Sequence, residues 1–181
     1  MSTARDPAAF CEALSERLVG SLTLFCGDRG AAEELAQDAL VRALERWDEV
    51  EAMAAPEAWV YRTAFNLARS RYRRRAAERR SVHRLAASAR MVSETPDTAS
   101  AVTLRELVRA LPERQRAAIV ARFYAGLTVQ EAAGALECAP GTVRALTHQA
   151  MTTLRASGLA DIDEPDDDNG PMEVSSDARP A

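Results

Sequence analysis

The sequence predicts an all-α protein made of two small helical domains. Apolar residues recur at spacings of three and four in both halves of the 181-residue chain, as they do along one face of a helix, without strand-like alternation. A stretch of alanine, serine and arginine separates the halves and reaches the turn-forming sequence Ser93-Glu94-Thr95-Pro96-Asp97. Aromatic residues make up only 5% of the chain, which favours thin helical bundles over one thick core.

Three helices are predicted in the first half. The first has one apolar stripe, formed by Phe10, Leu14, Leu18, Leu22 and Phe25. Gly27 breaks the chain, and Asp28 is a suitable N-cap for the second helix. The apolar face of that helix is formed by Leu35, Ala39, Leu40, Ala43, Leu44 and Trp47. A connection over residues 49–55 leads to Pro56, a residue favoured in a first helical turn, and the third helix extends to about Arg75.

Four further helices are predicted in the second half. One covers residues 102–111, and the next covers residues 113–125, where Gly126 suits a C-terminal cap. Thr128-Val129-Gln130-Glu131 has the form of a capping box and begins a helix that ends at Leu136. Pro140 begins the last helix, which continues to about residue 155.

Charge is segregated along the chain. Residues 62–90 contain ten arginines and one acid, whereas residues 161–181 contain eight acids and one arginine. The first pattern is typical of nucleic-acid binding, and the second of a disordered acidic tail. The predicted organisation is a first domain at 8–75, a flexible linker at 76–101, a second domain at 102–156 and the tail at 157–181. The linker would span up to about 85 Å if fully extended.

The third predicted helix has the clearest candidate binding face. Its core-facing arc is formed by Val60, Tyr61, Ala64, Phe65, Leu67, Ala68 and Tyr72. The opposite side carries Trp59, Arg62, Asn66, Arg69 and Arg73. No acid lies between Ala58 and Ala77 to pair with these cations. Because arginines neutralise phosphates and aromatic rings stack on unpaired bases, the face indicates nucleic-acid binding. The alternative is a solvated basic helix with Trp59 packed at its start.

Residues 128–155 have the form of a helix-turn-helix, whose second helix enters the major groove of DNA. The predicted buried arc of that helix is formed by Val143, Leu146, Thr147, Ala150 and Leu154. The outward positions are Arg144, Ala145, His148, Gln149, Thr152 and Arg155. Arg144, His148 and Gln149 are the candidates for contact with base edges or phosphates. A helical hairpin without a DNA-binding role is the alternative.

Other classes of function are not favoured. The sequence has no phosphate-binding loop, no metal-ligand pair and no nucleophile beside a histidine base, so we expect no enzyme, no metal and no cofactor. The three cysteines lack CxxC spacing and are expected to be reduced thiols. No run of eighteen apolar residues or N-terminal signal core occurs, which predicts a cytoplasmic protein without membrane contact.

Two sets of residue strings resemble one protein family. The first set, AEELAQDAL at 32–40 and AWVYRTAFNLA at 58–68, resembles conserved region 2 of the extracytoplasmic-function sigma factors of bacterial RNA polymerase. The second set, ALPERQR at 110–116 with Gly126-Leu127-Thr128 and Gly141-Thr142-Val143-Arg144, resembles their region 4. The resemblance covers about residues 8–75 and 102–156, in the family's order.

The resemblance implies a factor that binds core RNA polymerase and directs promoter-specific initiation. Region 2 would bind the clamp helices of the β′ subunit through Leu35, Gln37, Asp38 and Leu40. It would also recognise and open the −10 element through Trp59, Arg62, Asn66, Arg69 and Arg73, and residues 49–55 match the loop that captures a flipped base. Region 4 would contact the β flap and recognise the −35 element through Thr142, Arg144, His148 and Gln149. The resemblance leaves open whether an anti-sigma factor binds.

Two departures from the family pattern affect region 4. The family often has glycine at the break of the helix-turn-helix, where this chain has Glu137, and a non-glycine residue at positive φ costs on the order of 1 kcal/mol. The last helix also has few cations, which predicts weak or unusual −35 recognition. A stand-alone helix-turn-helix regulator is the alternative function, but it leaves residues 8–75 without a role. A helical adaptor would leave the arginine face unexplained.

Overall fold

The computed structural model describes residues 6–83 and 99–157, and the regular structure within these residues is entirely helical. The helices are α1 (Pro7–Cys26), α2 (Arg29–Glu45), α3 (Trp47–Glu51), α4 (Pro56–His83), α5 (Ala99–Ala110), α6 (Glu113–Ile119), α7 (Val129–Leu136) and α8 (Pro140–Ala156). Helix α6 continues as a π-helical turn over Val120–Tyr124. The all-α prediction is confirmed.

Helices α1, α2 and α4 form the first bundle, which we call region 2. Asp6 caps the start of α1 and Asp28 the start of α2, each through a side-chain oxygen that accepts from a backbone N–H. Gly27, at φ 74°, ends α1 in the left-handed conformation that glycine adopts at little cost. The Phe25 and Phe65 rings meet edge to face at the centre of the bundle, with centroids 5.3 Å apart.

Helices α5 to α8 form the second set, which we call region 4. The predicted capping box is confirmed: Glu131 N–H donates to Thr128 Oγ1 at 3.2 Å, and Thr128 N–H donates to Glu131 Oε2 at 2.8 Å. Helix α8 packs against α6 and α7. Its buried face is formed by Val143, Thr147, Ala150, Met151 and Leu154, which agrees with the predicted arc except that Met151 replaces the half-buried Leu146.

Several predicted boundaries differ from the structure. The short helix α3 lies partly within the predicted 49–55 connection, and α4 continues eight residues beyond Arg75 into the predicted linker. The rest of the linker, residues 84–98, and the tail from residue 158 lie outside the described residues. The predicted apolar face of α2 is also shifted, because Leu44 is 45% exposed while Ala32 and Ala36 are buried.

The sequence did not predict that the two regions pack against each other. Helix α7 lies against α4, while α5, α6 and the π-helical turn lie against α1. The buried apolar residues of both regions form one continuous cluster. The structure therefore shows a docked arrangement, in which region 4 covers part of region 2.

Limited proteolysis tests the predicted organisation. We expect the first cuts between residues 76 and 101 and after Gly158. If the regions dock as the structure shows, the nicked halves should still elute together in size-exclusion chromatography at low salt. Early cuts within α1, α2 or α6–α8, with residues 76–101 intact, would contradict the predicted linker. Separate elution of the halves at low salt would contradict stable docking.

Candidate nucleic-acid interface

The aromatic end of the predicted α4 face is partly covered. Trp59 is half-buried, and the guanidinium of Arg46 lies 5.8 Å from the centroid of its ring. The sequence placed Trp59 on the side of the helix opposite the core, where an exposed ring is expected. The structure corrects that expectation, because Trp59 packs at the start of α4 and its ring is in contact with the α2–α3 junction. A base could stack on the Trp59 ring only if the Arg46 side chain moved. Because that side chain is 54% exposed, it has room to move.

Arg62, one turn further along α4, is paired with a residue of region 4. Its Nε and Nη2 both donate to Glu137 Oε1, at 3.0 and 2.6 Å. Both side chains are about half exposed, at 51% and 47%. Exposed pairs of this kind contribute about 0–1 kcal/mol, but two N–H donors on one oxygen fix the orientation of the guanidinium.

The next residues of the α4 face approach the same acidic surface. Asn66 is half-buried and helps to lower the pKa of Glu137, and Arg69 Nε lies 3.6 Å from Glu113 Oε1. Arg73 is exposed. Two of the five predicted residues, Arg62 and Arg69, therefore meet carboxylates of region 4. No acid lies near these cations in the sequence. Their acidic partners come instead from residues more than forty positions away.

Glu137 holds this position through an unusual backbone conformation. It ends α7 with φ 54° and ψ 48°, and among the described residues it is the one non-glycine residue with positive φ. Its N–H donates to Ala133 O, which closes the helix end. The expected left-handed conformation is confirmed. The residue is retained here at a steric cost, and its side chain is directed at Arg62.

The hydrogen bond from Arg62 and the charge of Arg62 lower the pKa of Glu137, with smaller contributions from Asn66 and Arg69. A lowered pKa means that the pair stabilises the docked arrangement fully above the ordinary carboxyl range. The contribution is lost as the pH falls below that range and through the lowered pKa of Glu137. The contact is therefore intact at neutral pH.

The outer face of α8 is exposed in the docked arrangement. Arg144, His148 and Gln149 are exposed and Thr142 is half-buried near the start of the helix. Gln115 Nε2 of α6 donates to Gln149 Oε1 at 3.3 Å, which orients that amide. The structure thus brings together the four residues predicted to recognise duplex DNA, on one side of one helix.

The predicted polymerase-binding residues on α2 divide into two groups. Gln37 and Asp38 are exposed and Leu40 is half-buried, but Leu35 is 4% exposed and packs in the core. The structure corrects the expectation for Leu35, because a buried side chain cannot contact a partner directly. Two apolar residues that the sequence analysis missed, Val41 and Leu44, are 49% and 45% exposed beside Leu40. Their exposure is visible only in the structure, because the sequence pattern had placed Leu44 on the apolar face of the helix.

The described residues were also searched for reactive cysteines, metal ligands and membrane-spanning helices by their positions in the structure. The three cysteines are free and half-buried, and burial raises the pKa of the Cys26 thiol to about 11. Within residues 6–83 and 99–157, no three His, Cys, Asp or Glu side chains are grouped so that they could hold a metal ion. None of the helices in those ranges is long and apolar enough to cross a membrane.

Comparison with known families assigns both regions. The family described as Sigma-70 region 2 matches residues 10–78, and that described as Sigma-70, region 4 matches residues 101–154. The chain is also 30% identical over 133 residues to the RNA polymerase sigma-E factor of Streptomyces coelicolor, covering 73% of this chain and 75% of that protein. It is 31% identical over 134 residues to the ECF RNA polymerase sigma factor EcfG of Rhodopseudomonas palustris, covering 72% of each chain.

The chain belongs to the extracytoplasmic-function sigma factors. A sigma factor binds core RNA polymerase and promoter DNA and directs initiation at promoters, and this is the function of the protein. The family expected from the residue strings is confirmed.

Solved structures show the same fold for this sigma factor. The sigma factor RpoE of Bartonella quintana, in complex with the anti-sigma factor NepR, has a TM-score of 0.69 at 23% identity, covering 82% of this chain and 95% of that one. CnrH in complex with the cytosolic domain of CnrY has a TM-score of 0.59 at 21% identity, covering 89% and 92%.

Arg144 provides a direct test of the α8 face. If its guanidinium contacts a base edge, Arg144→Ala should weaken binding to the cognate −35 duplex by about 1–3 kcal/mol and relax selectivity at one base pair. If it contacts a phosphate, the variant should bind all duplexes more weakly and with a lower dependence on salt. Fluorescence anisotropy with cognate and scrambled duplexes separates these cases. Unchanged binding to every duplex would remove Arg144 from the interface.

Proposed function

We propose that this sigma factor contacts promoter DNA through two helices, α4 at the −10 element and α8 at the −35 element. The observation that carries the proposal is the position of the basic face of α4, which lies in the chain segment matched as region 2. Arg62, Arg69 and Arg73 lie along one side of that helix at helical spacing. They would neutralise the phosphates of the opened strand.

The proposed role of Trp59 is to replace stacking that is lost when the first base pair opens. Stacking of a base on an aromatic ring is worth about 1–3 kcal/mol, which is comparable with the cost of unpairing one base pair. The half-buried position of Trp59 fits a ring that is held in place on one side. Arg46, which now lies over the ring, would move aside or contact the backbone of the same strand.

The proposed polymerase-binding surface of region 2 is the exposed side of α2. It is formed by Gln37, Asp38, Leu40, Val41 and Leu44. Exposed apolar side chains beside polar ones are typical of a surface that a partner covers. We assign this surface to the clamp helices of β′, and we assign contact with the β flap to region 4.

An anti-sigma factor is a further proposed partner. Two solved relatives of this fold are complexes, one of them with the anti-sigma factor NepR. Such a partner would act by covering surfaces that core polymerase or DNA needs. We propose no enzymatic activity and no cofactor for the protein, and we propose that it acts in the cytoplasm, where core polymerase is found.

Run-off transcription distinguishes this function from a stand-alone regulator of duplex DNA. Core polymerase with the purified protein should yield transcripts of defined length from a genomic promoter, and core polymerase alone should not. A stand-alone regulator would change transcription only when another sigma factor is present. Transcripts that appear only with an added second sigma factor would contradict the proposal.

Trp59→Ala should impair transcription from a duplex promoter but spare a template in which the −10 region is already unpaired. The variant loses the platform that stabilises the first open base pair, and a pre-melted template does not need it. Trp59→Phe, which keeps an aromatic face, is the matched control and should retain most activity on duplex DNA. Circular dichroism should first show that both variants fold, because Trp59 also packs at the start of α4.

Permanganate footprinting measures promoter opening in these variants directly. A folded Trp59→Ala protein that opens duplex promoters at the wild-type rate would remove Trp59 from the mechanism. Equal loss on duplex and pre-melted templates would instead indicate a structural role for the ring.

A further inference from the structure

We propose that Gln115 of α6 is a positioning residue for promoter recognition, because it orients the Gln149 amide of α8 with an N–H donor toward the major groove. Gln149 then recognises the keto bases guanine and thymine, and not the amino bases adenine and cytosine, at one position of the −35 element. This proposal rests on the proposed −35 role of α8. It goes further in assigning a base class to one side chain and a function to a residue outside the helix-turn-helix.

The contact that carries the proposal joins two helices of region 4. Gln115 Nε2, in the first turn of α6, donates to Gln149 Oε1 on the outer face of α8 at 3.3 Å. Helix α6 packs against α8, and Gln115 is half-buried there whereas Gln149 is exposed. The half-buried amide is the more firmly held of the two, so the exposed amide takes its orientation from it.

The direction of this hydrogen bond follows from the buried end of the Gln115 amide. Its Oε1 atom is buried and has no hydrogen-bond partner among the described residues. If the amide were turned over, its –NH2 group would take that buried place and its N–H donors would lack partners there. Buried N–H groups without partners are rarer in proteins than under-satisfied carbonyl oxygens. Gln115 therefore presents its nitrogen to Gln149, and Gln149 meets it with its oxygen.

The hydrogen bond fixes which arm of the Gln149 amide is left for DNA. A side-chain amide has its oxygen and its –NH2 group on different arms, so an oxygen directed at α6 leaves the nitrogen to face outward. Bidentate recognition of adenine needs both arms at once, with the nitrogen donating to N7 and the oxygen accepting from N6–H. In this arrangement Gln149 offers DNA a donor and not an acceptor.

A donor distinguishes bases by the group that each base places at one position of the major groove. Guanine O6 and thymine O4 are acceptors, whereas adenine N6 and cytosine N4 are –NH2 donors. When two donors face each other at an interface, both lose their water and neither gains a partner. Gln149 should therefore favour keto bases over amino bases by about fivefold, as expected for one hydrogen bond of ordinary net strength.

The surroundings of Gln149 suit a contact with a base edge. Side chains on a helix lean toward its N-terminus, so Gln149 extends over the turn that carries Ala145. Ala145 is exposed and ends at its methyl group, which leaves room for a base pair beside it. Thr152 continues the exposed face on the other side of Gln149. Gln149 therefore lies within this face and not at its end.

Gln115→Glu is the sharpest variant, because it replaces the donor with an acceptor of nearly the same shape. The Gln149 amide must then turn over, donate to the new carboxylate and direct its oxygen at the groove, where only an amino base can donate to it. A carboxylate is also favourable in the first turn of a helix, so α6 should fold. Gln115→Met removes the donor at similar size and should leave Gln149 without a fixed orientation. Gln130→Glu, at an exposed position of α7, adds the same charge and is the matched control.

The measurement uses the full-length protein bound to core polymerase and a genomic promoter that supports run-off, with its −35 element randomised. Sequencing of the retained duplexes gives the base preference at each position. Gln149→Ala first identifies the position that Gln149 recognises, because the preference disappears there. At that position the wild type and Gln130→Glu should favour guanine and thymine together on one strand by about fivefold. Gln115→Met should retain less than about twofold, and Gln115→Glu should favour adenine and cytosine on that strand.

Circular dichroism should first show that each variant folds. A loosened α8 would flatten the preference and could not reverse it, so reversal distinguishes positioning from a structural role. An unchanged preference in Gln115→Glu would overturn the proposal. So would selection of adenine alone on either strand by the wild type, or a Gln149→Ala protein whose preferences match the wild type at every position.

The same selection keeps this result separate from the proposed function. If Arg144→Ala changes the selected −35 sequences while Gln115→Glu does not, the −35 role of α8 stands and only the positioning by Gln115 fails. If the wild type selects no base at any randomised position, the −35 role of α8 itself fails.

Discussion

The contact of α7 with α4 joins the two regions of this sigma factor. Glu137 lies at the end of α7 in a left-handed backbone conformation, and from there its carboxylate meets Arg62. The ion pair itself contributes little, because both partners are about half exposed to water. The pair matters for where it lies, because it places the Glu137 carboxylate of region 4 on the cationic face of region 2.

The rest of the interface explains how a weak pair can be maintained. The buried apolar residues of regions 2 and 4 form one cluster, and burial of apolar surface contributes more to stability than an exposed ion pair. Gly20 leaves room for the Tyr124 ring and Arg116 reaches a carbonyl oxygen at the end of α1. An interface of this kind within one chain is reversible when a partner that binds either surface competes for it.

Local sequence patterns predicted the helices but not their partners across the chain. Apolar spacing located α1, α4 and α8, and the capping box located the start of α7, because each of these signals lies within a few residues. The short helix α3 was missed. The exposure of Leu44 was also missed, since α2 is buried through Leu35 together with alanines such as Ala32 and Ala36. For such a helix the apolar pattern does not define the buried face uniquely.

In the candidate site, too, local features could be predicted from the sequence and contacts across the chain could not. The arginine face of α4 was predictable because its residues repeat at helical spacing, and so was the exposure of the α8 face. The acids that meet the arginines could not be predicted, because Glu113 and Glu137 follow them by more than forty residues in the sequence. The absence of acids near Arg62 in sequence indicated an unpaired face, whereas the folded chain supplies them from region 4.

The central claim is that the two regions are docked against each other in the free protein. Single-molecule fluorescence energy transfer tests it most directly, with one dye on α1 at Ala13 and one on α7 at Gly134, both exposed, in a variant whose native cysteines are replaced by alanine. The account predicts one population of high transfer efficiency in the free protein at low salt. A free protein without the high-efficiency population would contradict it.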